Sequence, residues 1–237
     1  MPLALNNPYG WAGALAAWSV VIIFATLLWI PQLRANEPID ATPTTEKAPS
    51  MLRSPIAWSV TIFMGVQSLL FYTMVAWLPA MLKEHGYTQG QGGWMLFLLQ
   101  IVIVVSTFIV PIIADKMPNQ IVLSLSTVSF FLFGFVGLLT PWVSLIPLWV
   151  IFIGIGSGSA FSLAMMFFNL RTKTVKEASQ LSGMAQSIGY LIAAIGPMLI
   201  GKLFDLTNSW TLPLYVLIGC SLLLLIVSVN ASRERTI

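Results

Sequence analysis

The chain has 237 residues, of which 57% are apolar and only 8% are charged. A soluble domain carries roughly a quarter charged residues, so this composition cannot cover a water-facing surface and argues against a soluble enzyme, a disordered tail or a nucleic-acid module. The formal net charge of +3 comes from few, scattered basic residues, which in a membrane protein act as topology signals rather than as a polyanion site.

A bilayer core needs about 20 apolar residues per helix. Stretches free of Asp, Glu, Lys and Arg run over 1–33, 54–82, 85–114, 117–170, 178–201 and 206–232. The fourth is too long for one crossing: as a single helix it would extend about 80 Å, against a hydrocarbon core of about 30 Å. It must fold back, and Pro141, Trp142, Ser144 and Pro147 mark the reversal. Seven spans follow, with cores near 10–30, 55–80, 93–114, 120–140, 146–169, 181–203 and 211–230. Continuous apolarity without strict alternation favours helices over a barrel. The fold class is therefore an all-α polytopic membrane protein.

The domain reading is a first helix (1–30), a linker (31–54) and a six-helix bundle (55–237). The linker carries Pro31, Pro38, Pro43 and Pro49, both charge signs and no aromatic residue, a composition that buries too little apolar surface to order itself. Orientation comes from the basic residues. Arg34, Lys47, Arg53, Lys116, Arg171, Lys173, Lys176, Arg233 and Arg235 fall on one side, and Lys83 and Lys202 on the other. That bias makes the linker and the C-terminal tail cytoplasmic. Residues 1–9 lack the positive n-region of a signal peptide. A first helix entering from outside usually follows earlier helices, so Met1 is expected to open a fragment of a longer transporter. A complete seven-helix protein with an external N-terminus is the alternative.

The turn after the third span, PIIADKMPNQ, resembles the short acidic-basic motif between helices of major facilitator proteins. Asp115 and Lys116 match its central pair, while Pro111 replaces the usual Gly and the trailing basic residues are missing. Longer strings, LALNNPYGWAGALAAW (3–18), SPIAWSVTIFMGVQSLLFYTMVAWLPAMLKEHGYTQGQGG (54–93), IGIGSGSAFSLAMMFFNLR (153–171) and LSGMAQSIGYLIAAIGPMLIGKLFD (181–205), resemble the branch of that superfamily containing cyanate permease and the 2-nitroimidazole exporter. The resemblance covers almost the whole chain and corresponds to roughly the C-terminal three-fifths of such a permease. It implies a twelve-helix secondary transporter of the bacterial inner membrane, of which this chain holds the last helix of the first half, the linker and the second six-helix half. No convincing internal sequence repeat supports this independently.

No Asp, Glu, Lys or Arg lies deep within a span, although such groups are the usual carriers of proton coupling. A coupled transporter would place its titrating group in the absent half or at Asp115, Asp205 or His85. His85 itself reads more simply as a solvated loop residue. Amides come next, because an unpaired amide in hydrocarbon costs several kcal/mol. Gln67 lies mid-way along the second span, Gln100 within the third, and Gln186 on the inner half of the sixth, one turn from Tyr190. Amide and phenol on one face could bind a small polar or anionic solute, while helix-to-helix hydrogen bonding is the bland reading. Ser68 and Tyr72 share a face, but Gln67 sits about 140° from Tyr72, so one of the two is expected to face a neighbouring helix. The candidate solute-binding set is Gln67, Tyr72, Gln100, Gln186 and Tyr190, within a cavity walled by the second, third, fifth and sixth spans. Arg171, at the end of the fifth span, reads as a topological anchor or gate contact.

Small residues recur at four-residue spacing: Gly154, Gly158 and Ser162; Gly156, Ala160 and Ala164; Ala185, Gly189 and Ala193. Such stripes let helix backbones approach closely. The candidate gating and packing set is Asp115, Lys116, Gly154, Gly158 and Gly189. Trp77 reads as an interfacial belt residue, with an outer gate as the alternative, and Trp142, Trp149 and Trp210 fit the belt.

The leading function is alternating-access secondary transport of a small polar or anionic solute, cyanate- or nitroimidazole-like. Its partners are the lipid bilayer, the solute and the missing N-terminal transporter half, and nucleic acid is not among them. A non-transporting membrane subunit or scaffold is the alternative. An intramembrane enzyme would need a buried Ser/His, paired Asp or metal set, none of which the sequence offers. GIGSGS (154–159) does not sit between a strand and a helix as a phosphate or nucleophile loop does, and no buried His or acid could activate Ser157 or Ser159. One Cys and one His leave no internal disulfide or Cys/His metal cluster, and no cofactor is expected.

Overall fold

A computed structural model of the chain describes residues 10–31, 51–117 and 119–232. The helices are α1 (Gly10–Trp29), α2 (Pro55–Glu84), α3 (Gln89–Asp115), α4 (Ile121–Leu138), α5 (Ile146–Leu170), α6 (Val175–Thr207) and α7 (Thr211–Ser232). Six of them, α2 to α7, are long and apolar enough to cross a membrane. The chain divides into two units, 1–47 and 48–237. The first contributes the 20-residue apolar helix α1. Most of the expected linker 31–54 lies outside the described residues, with Arg34 and Lys47, as do Arg233 and Arg235. Its described end is a 3-10 turn at Met51–Arg53 followed by Ser54.

Local sequence sets the helix ends. Ser54 caps α2, its hydroxyl accepting from the Ala57 N–H, with Pro55 in the first turn where no intrahelical N–H is needed. At the other end the Tyr87 N–H reaches back to the Leu82 carbonyl and Gly86 takes φ +83°. That is the left-handed position of a Schellman turn, where a side chain would strain the backbone. Capping boxes start α3 (Thr88 with Gln91) and α6 (Thr174 with Glu177). The long apolar stretch reverses between α4 and α5 through a 3-10 turn at Val143–Leu145, and Pro147 lies in the first turn of α5.

Packing fixes the helix directions in the second unit. Gly65 meets Gly189, Gly196 meets Leu69 and Thr73, and Gly201 meets Trp77, so α2 and α6 run parallel. Gly154 meets Leu99 and Val102, while Gly158 meets Ile103 and Ser106, so α3 and α5 also run parallel. Phe63 on α2 packs edge-on against Phe167 on α5 at 5.4 Å, which places the start of α2 beside the end of α5. The heaviest pairings are α2 on α6 and α3 on α5, followed by α4 on α5, α4 on α7 and α2 on α7. Exchanging α2, α3 and α4 for α5, α6 and α7 maps this set of pairings onto itself. The second unit is thus built from two three-helix triplets of opposite direction, an inverted repeat. Sequence comparison within the chain does not reveal it, because the repeat is one of packing partners and not of side chains.

α2 and α5 are largely buried in the bundle, while α3 and α6 leave most of their apolar surface uncovered. The core between them holds Phe63, Met64, Leu70, Met74, Phe131, Phe135 and Phe167.

Candidate functional site

A cavity of about 440 Å³ opens between α2, α3, α5 and α6, the four helices that the sequence reading names as its wall. α2 presents Gln67, Ser68, Phe71 and Tyr72; α3 presents Ile103, Val104, Thr107 and Phe108; α5 gives Ser157 and Phe161; α6 gives Tyr190. None of these residues is charged. The polar groups are amide, hydroxyl and phenol, set among aromatic rings, which suits a small solute held by hydrogen bonds and ring faces.

Gln67 is 2% exposed and Tyr72 44% exposed. Both line the cavity, so the expectation that one of them turns to a neighbouring helix is corrected. The cavity spans a depth as well as an angle: Gln67 lies in its buried part and Tyr72 at its open part. The Gln67 side-chain N–H donates to Ser68 Oγ at 2.7 Å, with Met64 Sδ at 3.3 Å. Tyr72 and Tyr190 meet edge to face, with ring centroids 6.4 Å apart. They also border a second recess of about 510 Å³ lined by Val75, Ala76, Ala193, Ala194 and Pro197.

The remaining candidates lie elsewhere. Gln186 is half-buried and its amide donates to Ser182 Oγ at 2.7 Å, one turn back on α6. It does not line the cavity with Tyr190, and neither does Gln100, which is exposed on α3. Asp115 and Lys116 are exposed at the end of α3. Gly154 and Gly158 press α5 against α3, and Gly189 presses α6 against Gly65 of α2. A Cβ on Gly158 would stand 2.5 Å from the Ile103 carbonyl oxygen, so the close approach demands glycine there.

Four residues play parts that sequence reasoning missed or misread. Trp77 is half-buried, and its indole N–H donates to the Pro197 carbonyl at 2.9 Å. It bridges α2 to α6 instead of standing free in an interfacial belt. Trp210 leaves the belt too, being 3% exposed and stacked on Phe204 at 4.3 Å, whereas Trp142 is exposed. Arg171 is buried, not at the surface: its Nε donates to the Ala231 carbonyl at 2.7 Å and its Nη2 to Gln120 Oε1 at 3.3 Å. The guanidinium thereby ties the end of α5 to the last turn of α7 and to the residue before α4. The signal for this was a single cation ending a helix otherwise free of charge. Ser157, the fourth, lines the cavity but drew notice only as an unsupported nucleophile. Its place on the same helical face as Phe161, one turn on, was the available signal.

Comparison with known proteins adds the following. The family described as Major Facilitator Superfamily matches residues 2–197. The uncharacterized transporter YycB of Bacillus subtilis (strain 168) is 41% identical over 238 residues, covering 100% of this chain and 59% of that protein. The 2-nitroimidazole transporter of Escherichia coli (strain K12) is 37% identical over 240 residues, covering 100% of this chain and 60% of that protein. The cyanate transport protein CynX of the same organism is 25% identical, covering 99% of this chain and 60% of that protein. The chain therefore spans about three-fifths of the length of the curated relatives it matches.

Proposed function

From the premise that the chain belongs to the major facilitator superfamily, we propose that it is the C-terminal part of a secondary transporter that moves a small polar or anionic solute by alternating access. The family is one of membrane transporters, not enzymes, and the chain is a multi-pass membrane protein. In the proposed arrangement α1 closes the first half, 31–54 is the linker, and α2 to α7 form the second half. The observation that carries the proposal is the uncharged cavity walled by α2, α3, α5 and α6.

The uncovered faces of α3 and α6 would take the opposite bundle, supplied by the portion that the relatives have beyond this chain. The solute would lie between the bundles, in contact with Gln67, Tyr72 and Tyr190. Gln100 and Gln186 lie off this cavity and would act from the faces meeting the other bundle. Rocking needs close, smooth seams, and Gly154, Gly158 and Gly189 supply them. Asp115 and Lys116 would form the gating turn at the inner end of α3. The nine-to-two bias of basic residues supports an inner-membrane placement with the C-terminus cytoplasmic. Cyanate-like and nitroimidazole-like solutes are the classes that the relatives' names suggest.

The test is flux into proteoliposomes. The chain alone is expected to move neither labelled 2-nitroimidazole nor labelled cyanate. Fused behind the N-terminal part of the 2-nitroimidazole transporter, it is expected to restore flux, which Gln67→Ala together with Tyr72→Ala should abolish. Flux by the chain alone would overturn the two-bundle reading.

A further inference from the structure

The opposite face of α3 from the solute cavity borders a separate groove of about 440 Å³, between α3, α4 and α5. Val105 and Ile109 of α3 form one wall, Ser126 and Phe130 of α4 the other, and Ile155 and Ser159 of α5 the floor. The α3 residues at the solute cavity, 103, 104, 107 and 108, stand about 180° around the helix from this wall. The groove follows from how α5 seats its neighbours. Gly154 and Gly158 press α5 onto α3, and Gly156 presses it onto α4 at Phe131. Both helices therefore pack on α5, yet α3 and α4 scarcely touch each other, although they are consecutive in the chain. The strip of α5 between the two seams becomes the floor.

Its length and its ends argue for one kind of occupant. Along α3 it runs from Ile101 to Ile113, about 18 Å at the helical rise, and half of a hydrocarbon core is about 15 Å. The inner end lies at mid-helix, at Ile101, Phe130 and Ile155, and the outer end at Ile113 and Leu123, where α3 finishes and α4 begins. No charged residue lines it, and just beyond its outer end Asp115 and Lys116 are exposed. Ser126 turns its hydroxyl back to the Leu123 carbonyl at 2.8 Å, and Ser106 and Ser159 are only 7% and 4% exposed, so the surface offered is hydrocarbon. The groove is thus as long as one leaflet is deep, apolar throughout, and open where charge begins. A helix could reach the floor only by displacing α3 or α4, because both already rest on α5. A hydrocarbon chain is thinner and brings no backbone group to satisfy.

We propose that this groove is a lipid site, holding one acyl chain of a phospholipid from the leaflet at the α3–α4 turn, with the lipid phosphate at Lys116. Asp115 beside Lys116 offsets part of that attraction, so the seated chain supplies most of the affinity. The chain fills the gap that α3 and α4 leave over α5. The site lies on the far side of α3 from the solute cavity, so it stands or falls apart from the solute proposal.

The test is native mass spectrometry of the purified chain, released from detergent with added dipalmitoyl phosphatidylglycerol. One lipid is expected to bind ahead of any other and to saturate. Dioctanoyl phosphatidylglycerol, whose shorter chains cannot reach Ile101, should need a clearly higher concentration. Val105→Trp and Ile109→Trp each lay an indole across the groove from a site 50% or 47% exposed, where the added bulk does not enter the core. Either should raise the half-saturating concentration about tenfold, the worth of about ten lost atom contacts. Ile112→Trp, on the same helix at a site 62% exposed and off the groove, should leave it unchanged. Lys116→Ala should raise it about twofold, as for an exposed ion pair. No saturable first lipid, equal binding of the two chain lengths, or an equal loss in Ile112→Trp would overturn the site. The chimera carrying the N-terminal part of the 2-nitroimidazole transporter is expected to keep the lipid. Loss of the lipid there would give the groove to a helix of the opposite bundle and overturn the proposal, while flux through the same chimera reports on the solute cavity alone.

Discussion

Replacing Gly158 by Ala tests the packing logic on which the cavity wall depends. The added methyl would sit 2.5 Å from the Ile103 carbonyl oxygen and 2.7 Å from Ser106 Cβ. Ordinary contact begins near 3.4 Å, so α5 must move off α3 by about 0.9 Å, the difference between 3.4 and 2.5 Å. One turn along the same seam, Ser162 Oγ donates to the Thr107 carbonyl at 3.0 Å. A shift of that size stretches this bond to about 4 Å, beyond hydrogen-bond reach. Overpacking costs about 1–3 kcal/mol, and the lost interhelical bond adds about 1 kcal/mol. For a chain of this size the sum of about 2–4 kcal/mol lowers the midpoint of thermal unfolding by roughly 4–16 °C. The assay is the monodisperse fraction surviving a heating series in detergent, read by size exclusion. Gly183→Ala is the control, because its Cβ would meet nothing within 4 Å. There the change relieves the glycine entropy penalty and should be neutral or stabilising by up to about 1 kcal/mol. If Gly158→Ala melts at or above the parent, the seam is not set by backbone contact and the reasoning fails.

Two further outcomes follow from the same structure. Trp77→Phe keeps a ring against Trp210, 5.6 Å away, but deletes the donor to the Pro197 carbonyl, so heating in detergent should show a loss of about 1 kcal/mol, while Trp142→Phe, at an exposed site, should show none. Arg171→Lys keeps the charge but cannot span both the Ala231 carbonyl and Gln120 with one planar group. It should cost roughly 2–3 kcal/mol and lower the yield of folded protein in membranes, whereas an unchanged yield and melting point would show that the guanidinium fork is dispensable.

The spans were legible because charge is excluded from hydrocarbon, and the break near Pro141 because a helix across residues 117–170 would far overrun the bilayer. The cavity was legible in part. Its four walls follow from the family plan, and Gln67, Tyr72 and Tyr190 are conspicuous as polar groups in apolar helices. Gln186 was equally conspicuous, yet Ser182 on its own helix takes its amide. Whether a polar side chain finds a partner one turn away is decided by rotamer and neighbour, which periodicity does not encode. Ser157 is the converse case: a common residue in a small-residue string, made notable only by its place on the cavity wall. Arg171 was misplaced because its depth depends on the ends of α4 and α7 converging over it, a long-range fact that no window of sequence contains.

The inverted repeat gives the two interhelical clasps a common logic. Pro111 has no N–H for the carbonyl of Thr107, four residues back on α3, and Ser162 of α5 donates to that carbonyl. Pro197 lies inside α6 and leaves the carbonyl of Ala193 without its helical donor, while Trp77 of α2 donates one turn on, to the carbonyl of Pro197 itself. Exchanging the triplets turns the α5–α3 pair into the α2–α6 pair, so each proline-bearing helix is tied to its parallel neighbour within about a turn of its proline. Because α2 and α5 run in opposite directions, the two clasps fall toward opposite ends of the bundle, with Ser157 and Gln67 between them. A helix bends most readily where a backbone bond is missing, and in α3 and α6, the two least covered helices, that place is the turn before Pro111 and the turn before Pro197.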